Sequence, residues 1–137
     1  MKEMVGNLWL ESAAFKCIPT TGTVTPDGSA VLDSGPGKEA AAKFQGLEVD
    51  LGRMIASRGN QVHVLRPGLL SFPVQQYQFG GPTLQIIERS AKQLLAIVAD
   101  AKTLLPRPGC GPGQLKWEDV AKVLAFLPDN VIVIDHR

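Results

Sequence analysis

The sequence predicts an α/β fold in which a largely parallel, mixed sheet carries helices on both faces. Three observations lead there. Apolar residues recur at helical spacing in four segments, short β-branched or leucine-rich runs alternate with them, and glycine and proline gather in the gaps. At 137 residues the chain has the size of one domain, so 1–137 is read as a single unit.

Taken in order, residues 3–5 and 14–19 are the first two strand candidates. An alanine-rich helix follows at 39–44. Leu47, Leu51, Met54 and Ile55 then share one helical face, and Gly59 stands where a helix ends. Segments 62–65 and 69–74 flank the turn dipeptide Pro67-Gly68 and read as a hairpin. Leu84, Ile87, Ala91, Leu94, Leu95 and Val98 mark a longer helix, with Thr83 as its N-cap. Strands at 102–105 and 131–135 bracket a last helix carrying Trp117, Val120, Leu124 and Leu127, stopped by Pro128. Strands alternating with helices imply βαβ units and a parallel sheet, to which the hairpin adds an antiparallel pair.

Composition narrows the function. Fourteen basic and thirteen acidic residues leave a net charge of +1, which argues against general nucleic-acid binding and against a membrane surface. No apolar run approaches the ~18 residues of a membrane span, and MKEMVGNLWLE lacks a secretory layout. Two cysteines, Cys17 and Cys110, make no disulfide framework, and with His63 and His136 they offer no local metal site. A cytoplasmic protein with reduced thiols, no metal and no cofactor is expected.

Fourteen glycines and ten prolines concentrate at 19–37, 67–82 and 106–113. In open α/β sheets ligands bind beyond the carboxyl ends of the strands. The first and third clusters follow strands there, so the site is expected in those loops. The run from Pro106 to Trp117 holds glycines at 109, 111 and 113, which let the backbone turn and present N–H groups to an anion. A helix N-terminus follows, suited to phosphate. A ligand-free connector fits the same residues. The segment 28–40 also runs from a loop into a helix. It fails the P-loop template, with Leu32 at the first glycine and Glu39 at the Ser/Thr position. Two such segments suggest a ligand with more than one phosphate.

Gly6-Asn7-Leu8, the loop from Gly28 to Ala40 and the run LPRPGCGPGQLKWEDV at 105–120 together resemble the macrodomain, the ADP-ribose-binding module. The third element is similar to the branch of small bacterial and phage macrodomains and terminal ADP-ribose glycohydrolases. The resemblance covers essentially the whole chain and implies a three-layer sandwich, a mixed six-stranded sheet between helices. It further implies that Asn7, beside Leu8, stands where an acidic residue binds the adenine amino group, and that Thr20 and Thr21 lie near the distal ribose. Ser34, Gly35, Pro36 and Gly37 match one diphosphate loop. Gly109, Cys110, Gly111, Pro112, Gly113, Gln114 and Leu115 match the other.

In the glycohydrolase branch a lysine attacks the distal ribose and an aspartate assists. Here Val74 or Gln75 falls at the lysine and Gly113 at the aspartate, and neither supports that chemistry. Asp33 is the remaining catalytic candidate, as an acid that orients water, and Lys38 is a second. Both also read as a solvated loop acid and a helix-start cation. Cys110 is either a nucleophile near a helix N-terminus or a small loop filler, and a phosphatase Cys-x5-Arg pattern fails at Lys116. His63 alternates with valines and reads as a surface residue, while Trp117 reads as core. Tyr77 and Phe79 offer rings that stack on ribose or adenine.

Two functions result. One is a monomeric binder of free or macromolecule-linked ADP-ribose. The other is an ADP-ribosyl hydrolase that cleaves ester-linked ADP-ribose with a bound water. An α/β protein holding another nucleotide is a third.

Overall fold

The computed structural model describes residues 1–136. Its elements are β1 (Lys2–Gly6), β2 (Phe15–Thr21), α1 (Gly35–Lys43), α2 (Leu47–Arg58), β3 (Val64–Arg66), β4 (Leu69–Gln75), α3 (Leu84–Val98), β5 (Thr103–Pro106), α4 (Trp117–Leu124) and β6 (Val131–His136). The strands form one six-stranded sheet in the order β1-β6-β5-β2-β4-β3. Every pairing is parallel except the β3–β4 hairpin, which turns through Pro67-Gly68. The expected α/β class and mixed six-stranded sheet are what the structure has.

Strand residues alternate between faces, and the two cores follow that alternation. Cys17, Leu70, Phe72, Leu105 and Val133 meet α3 and α4 on one face. Their sequence neighbours Ile18 and Leu69 meet Ala40 of α1 and Leu47 and Leu51 of α2 on the other. Leu104 and Ile134 pack with Leu8 beneath the segment that leaves β1. Helix α3 buries Ile87, Ala91, Leu94 and Val98, the face its spacing predicts. Burying each of its larger side chains is worth about 1.5–3 kcal/mol. Thr83 caps it by accepting the Ile86 N–H at 3.2 Å.

Most boundaries shift by a residue or two from expectation, and three shifts bear on the core or the site. Helix α1 begins at Gly35, four residues early, because extended Ser34 stands at the N-cap and Pro36 fits the first turn, where an N–H would have no helical partner. Strand β2 runs two residues further, through the buried Thr20 and Thr21. Helix α4 stops at Leu124, and Leu127 reaches the core from the following turn, where its N–H meets the Leu124 carbonyl. His63 is also a correction. It precedes β3 instead of lying on it and is only 6% exposed. Its backbone N–H donates to Ser71 Oγ at 2.8 Å, and its ring Nε2 donates to the Gly59 carbonyl at 2.9 Å.

The site follows from one feature of this sheet. Strands β5 and β2 pair over only two positions, Phe15 with Thr103 and Lys16 with Leu104, and then part. Beyond the split lie Pro19 and Pro106, neither of which has an N–H to extend the ladder. The chain leaving β2 enters α1 on one face, and the chain leaving β5 enters α4 on the other. That makes a topological switch point, where open α/β sheets hold their ligands.

Candidate functional site

A cavity of about 630 Å³ opens at the split, with Pro19 and Pro106 in its wall. Its size falls within the ~300–1,000 Å³ of small-molecule sites. It crosses the carboxyl ends of β6, β5, β2 and β4, whose last residues all contribute. Three spacings of about 4.8 Å give this row a span of roughly 14 Å.

The structure brings most of the anticipated residues to this cavity. Thr20 and Thr21 line it at the end of β2, Asp33, Ser34, Gly35, Pro36 and Gly37 on one side, and Gly109, Cys110, Gly111, Pro112, Gln114 and Leu115 on the other. The first group is a true helix start. Gly35 has a φ of 55°, a left-handed conformation that favours glycine, and α1 has no acidic residue in its first turn. Its positive end therefore faces the cavity, with the Asp33 carboxylate just before the N-cap. The second group is a loop closed on itself. Leu115 N–H donates to the Gly109 carbonyl at 2.9 Å, Gln114 N–H to the Gly111 carbonyl at 3.0 Å, and Gly111 N–H to Gln114 Oε1 at 3.2 Å.

Six anticipated residues are not in the wall, among them Lys38, which is exposed in the first turns of α1. Asn7 is spent locally, its Oδ1 accepting the Trp9 N–H at 2.9 Å in the turn after edge strand β1. Leu8 is buried in the small cluster beneath that turn. Gly113 lies at the loop tip, where an added Cβ would meet nothing. Tyr77 is 68% exposed and, like Phe79, lies off the wall. It is the backbone of that loop that is tied to the site.

Gln75 does the tying. It is 9% exposed, and its Nε2 donates to the carbonyls of Tyr77 at 2.7 Å and Gln78 at 2.8 Å. Gln78 in turn donates from Nε2 to Asp33 Oδ2 at 3.0 Å, linking the loop after β4 to the loop before α1. Asp33 is thus an exposed carboxylate held at the rim. Burial pushes the Cys110 thiol up, with Arg107 partly opposing it. An activated nucleophile would be shifted the other way.

Sequence reasoning missed the β6 end of the wall. Arg107, Asp135 and His136 line it, and so does Trp117, which is half-buried, packing against the α3–α4 core while also lining the cavity. The Arg107 guanidinium carbon lies 4.8 Å from the Trp117 ring centroid. The indole N–H donates to Glu3 Oε1 at 3.0 Å. The pairing of β1 with β6 brings Glu3 there across the whole length of the chain, and no local spacing carries that signal. Among the described residues, no three His, Cys, Asp or Glu side chains gather to hold a metal ion, and no helix is long and apolar enough to cross a membrane.

No family model and no curated protein matches the sequence. Similarity emerges in three dimensions. The macrodomain of Mycobacterium tuberculosis DarG superposes with a TM-score of 0.76 at 18% identity, covering 96% of this chain and 97% of that one. The macrodomain of Thermus aquaticus DarG gives 0.74 at 16% identity, over 99% and 97%. Thermosipho africanus DarTG in complex with ADP-ribose gives 0.76 at 14% identity, covering 99% of this chain and 42% of that longer one. At such identities the likeness is one of fold, and the fold of this chain is the macrodomain fold.

Proposed function

We propose that the chain binds ADP-ribose, free or attached to a macromolecule, in the cavity at the β5–β2 split. One observation carries the reading: a cavity spanning four strand ends places the N-terminus of α1, whose first turn holds no acid, against a preformed glycine loop. That arrangement suits a diphosphate in the middle and a sugar at either side. The similar Thermosipho africanus DarTG structure, solved in complex with ADP-ribose, supports the same ligand.

The protein acts as a reader. Gln75 supplies an amide already committed to two carbonyls, and Val74 beside it is apolar. Gly113, at the position that the resemblance gives to an aspartate, carries no side chain. Neither position offers a nucleophile or an acid for the anomeric carbon. Titration calorimetry with ADP-ribose, ADP and AMP tests the reading. ADP-ribose is expected to bind most tightly and AMP least, because only the full ligand spans β6 to β4. Equal affinity for AMP and ADP-ribose would contradict it.

A further inference from the structure

The two ends of the cavity differ in chemistry. The β4 end is hydroxyl and amide, from Thr21, Gln75 and Gln78, whereas the β6 end carries Arg107 against Trp117. Arg107 also stands between two carboxylates, with Glu3 at 3.6 Å from one terminal nitrogen and Asp135 at 3.8 Å from the other. These distances are ion pairs beyond hydrogen-bond length, so they hold the guanidinium in place without using its donors. Its charge is already balanced by two acids, which makes it a poor phosphate anchor. What it offers the cavity is a planar, weakly hydrated surface backed by an indole, and such a surface stacks on aromatic rings.

We infer that Arg107, backed by Trp117, is the platform on which the nucleobase of the ligand stacks. The inference rests on the cavity being an ADP-ribose site and assigns the side chains that hold its base. The base lies over Arg107 at β6, the diphosphate crosses the start of α1, and the distal ribose reaches Thr21 and Gln75 at β4. It also moves base recognition away from Asn7, whose side chain closes its own turn. Both platform residues lie in the 105–120 run, but the carboxylates that hold them, Glu3 of β1 and Asp135 of β6, come from the far ends of the chain.

Two substitutions separate stacking from charge. R107K keeps the charge and loses the plane, and R107Q loses the charge and keeps a planar amide. With ADP-ribose, stacking predicts that R107K loses about tenfold or more in affinity, roughly 1.4 kcal/mol per factor of ten, and that R107Q retains more than R107K. The indole N–H resonance of Trp117, identified in Trp117→Phe, shifts when ADP-ribose binds the wild type and shifts much less in R107K. Circular dichroism establishes that each variant is folded, and should R107K fail to fold, the wild-type indole shift alone decides. Two results overturn the inference: R107K binding as tightly as wild type with R107Q impaired, or ADP-ribose leaving the Trp117 resonance unmoved. A wild-type protein that binds no ADP-ribose would instead overturn the reading of the cavity itself.

Discussion

The two glycine-rich segments that face each other across the cavity have similar compositions and different constructions. At 34–37 the glycines open helix α1, whose first turn holds no acid. At 109–115 they form a loop whose own hydrogen bonds close it, and the helix after it carries Glu118 and Asp119 in its first turn. Those acids already complement the α4 dipole, while the α1 dipole awaits an anion. On the proposed reading the α1 end attracts the diphosphate, and the 109–115 loop shapes the space around it.

The largest effect should come from Gly35→Glu. A carboxylate at the start of α1 complements the helix and occupies the anion position at once. Two like charges about 4 Å apart repel by about 4 kcal/mol at an effective dielectric of 20, so ADP-ribose affinity should fall at least about 100-fold. Calorimetry reads the loss, and an unchanged helical signal by circular dichroism shows the fold retained. Normal binding in a folded variant would place the diphosphate elsewhere.

Gly109→Ala should strike stability instead. At a φ of 72°, its Cβ would meet Ile87 Cδ1 and Pro82 Cβ at 3.0 Å each. Overpacking and the strained backbone together should cost about 1–3 kcal/mol, measured as a lower urea midpoint. Were this variant as stable as wild type, the loop would be softer than its hydrogen bonds indicate.

Much of this was legible in the sequence, for physical reasons that also explain what was not. Ile87, Ala91, Leu94 and Val98 announce α3 because one helix face must be apolar. Pro67-Gly68 announces the hairpin because the turn needs Gly68 at a φ of 77°. Both glycine segments were visible as composition. His63 was misread because apolar alternation cannot reveal that Ser71 and Gly59 supply polar partners inside. An aromatic ring in a glycine-rich loop suggests stacking at Tyr77, yet the ring is exposed and Gln75 holds only its backbone carbonyl. Arg107 and Trp117 share the 105–120 run, but Glu3 and Asp135 reach them only through the β1–β6–β5 pairing, which no window of sequence contains.

Asp33→Asn addresses the rim between the two segments. It removes a negative charge from the wall while leaving an oxygen to accept from Gln78. An exposed charge is worth about 1 kcal/mol or less, so affinity should rise by about two- to fivefold in calorimetry. A fall would show the carboxylate engaging the ligand directly.

The smallest effect concerns Cys110. Burial raises its thiol and the Arg107 cation lowers it, so R107Q should raise it further. Alkylation at pH 8 should then be slower in the unliganded R107Q variant than in wild type by about twofold, and both rates should climb toward alkaline pH as thiolate forms. Because the folded thiols of Cys17 and Cys110 are raised, deprotonation favours the unfolded chain. Their contribution to stability is present below the ordinary cysteine pKa of about 8.5 and declines as pH rises through the raised values.

The central claim is that ADP-ribose lies across the strand ends with its diphosphate on α1. Amide chemical-shift mapping of the isotope-labelled protein during an ADP-ribose titration tests it most directly. The account predicts the largest shifts at Gly35, Gly37 and Lys38, with further shifts along 109–115 and at Gln75, and little change at Asn7 or around Lys92. Shifts centred on Asn7 with none at the start of α1, or no shifts at saturating ADP-ribose, would contradict it.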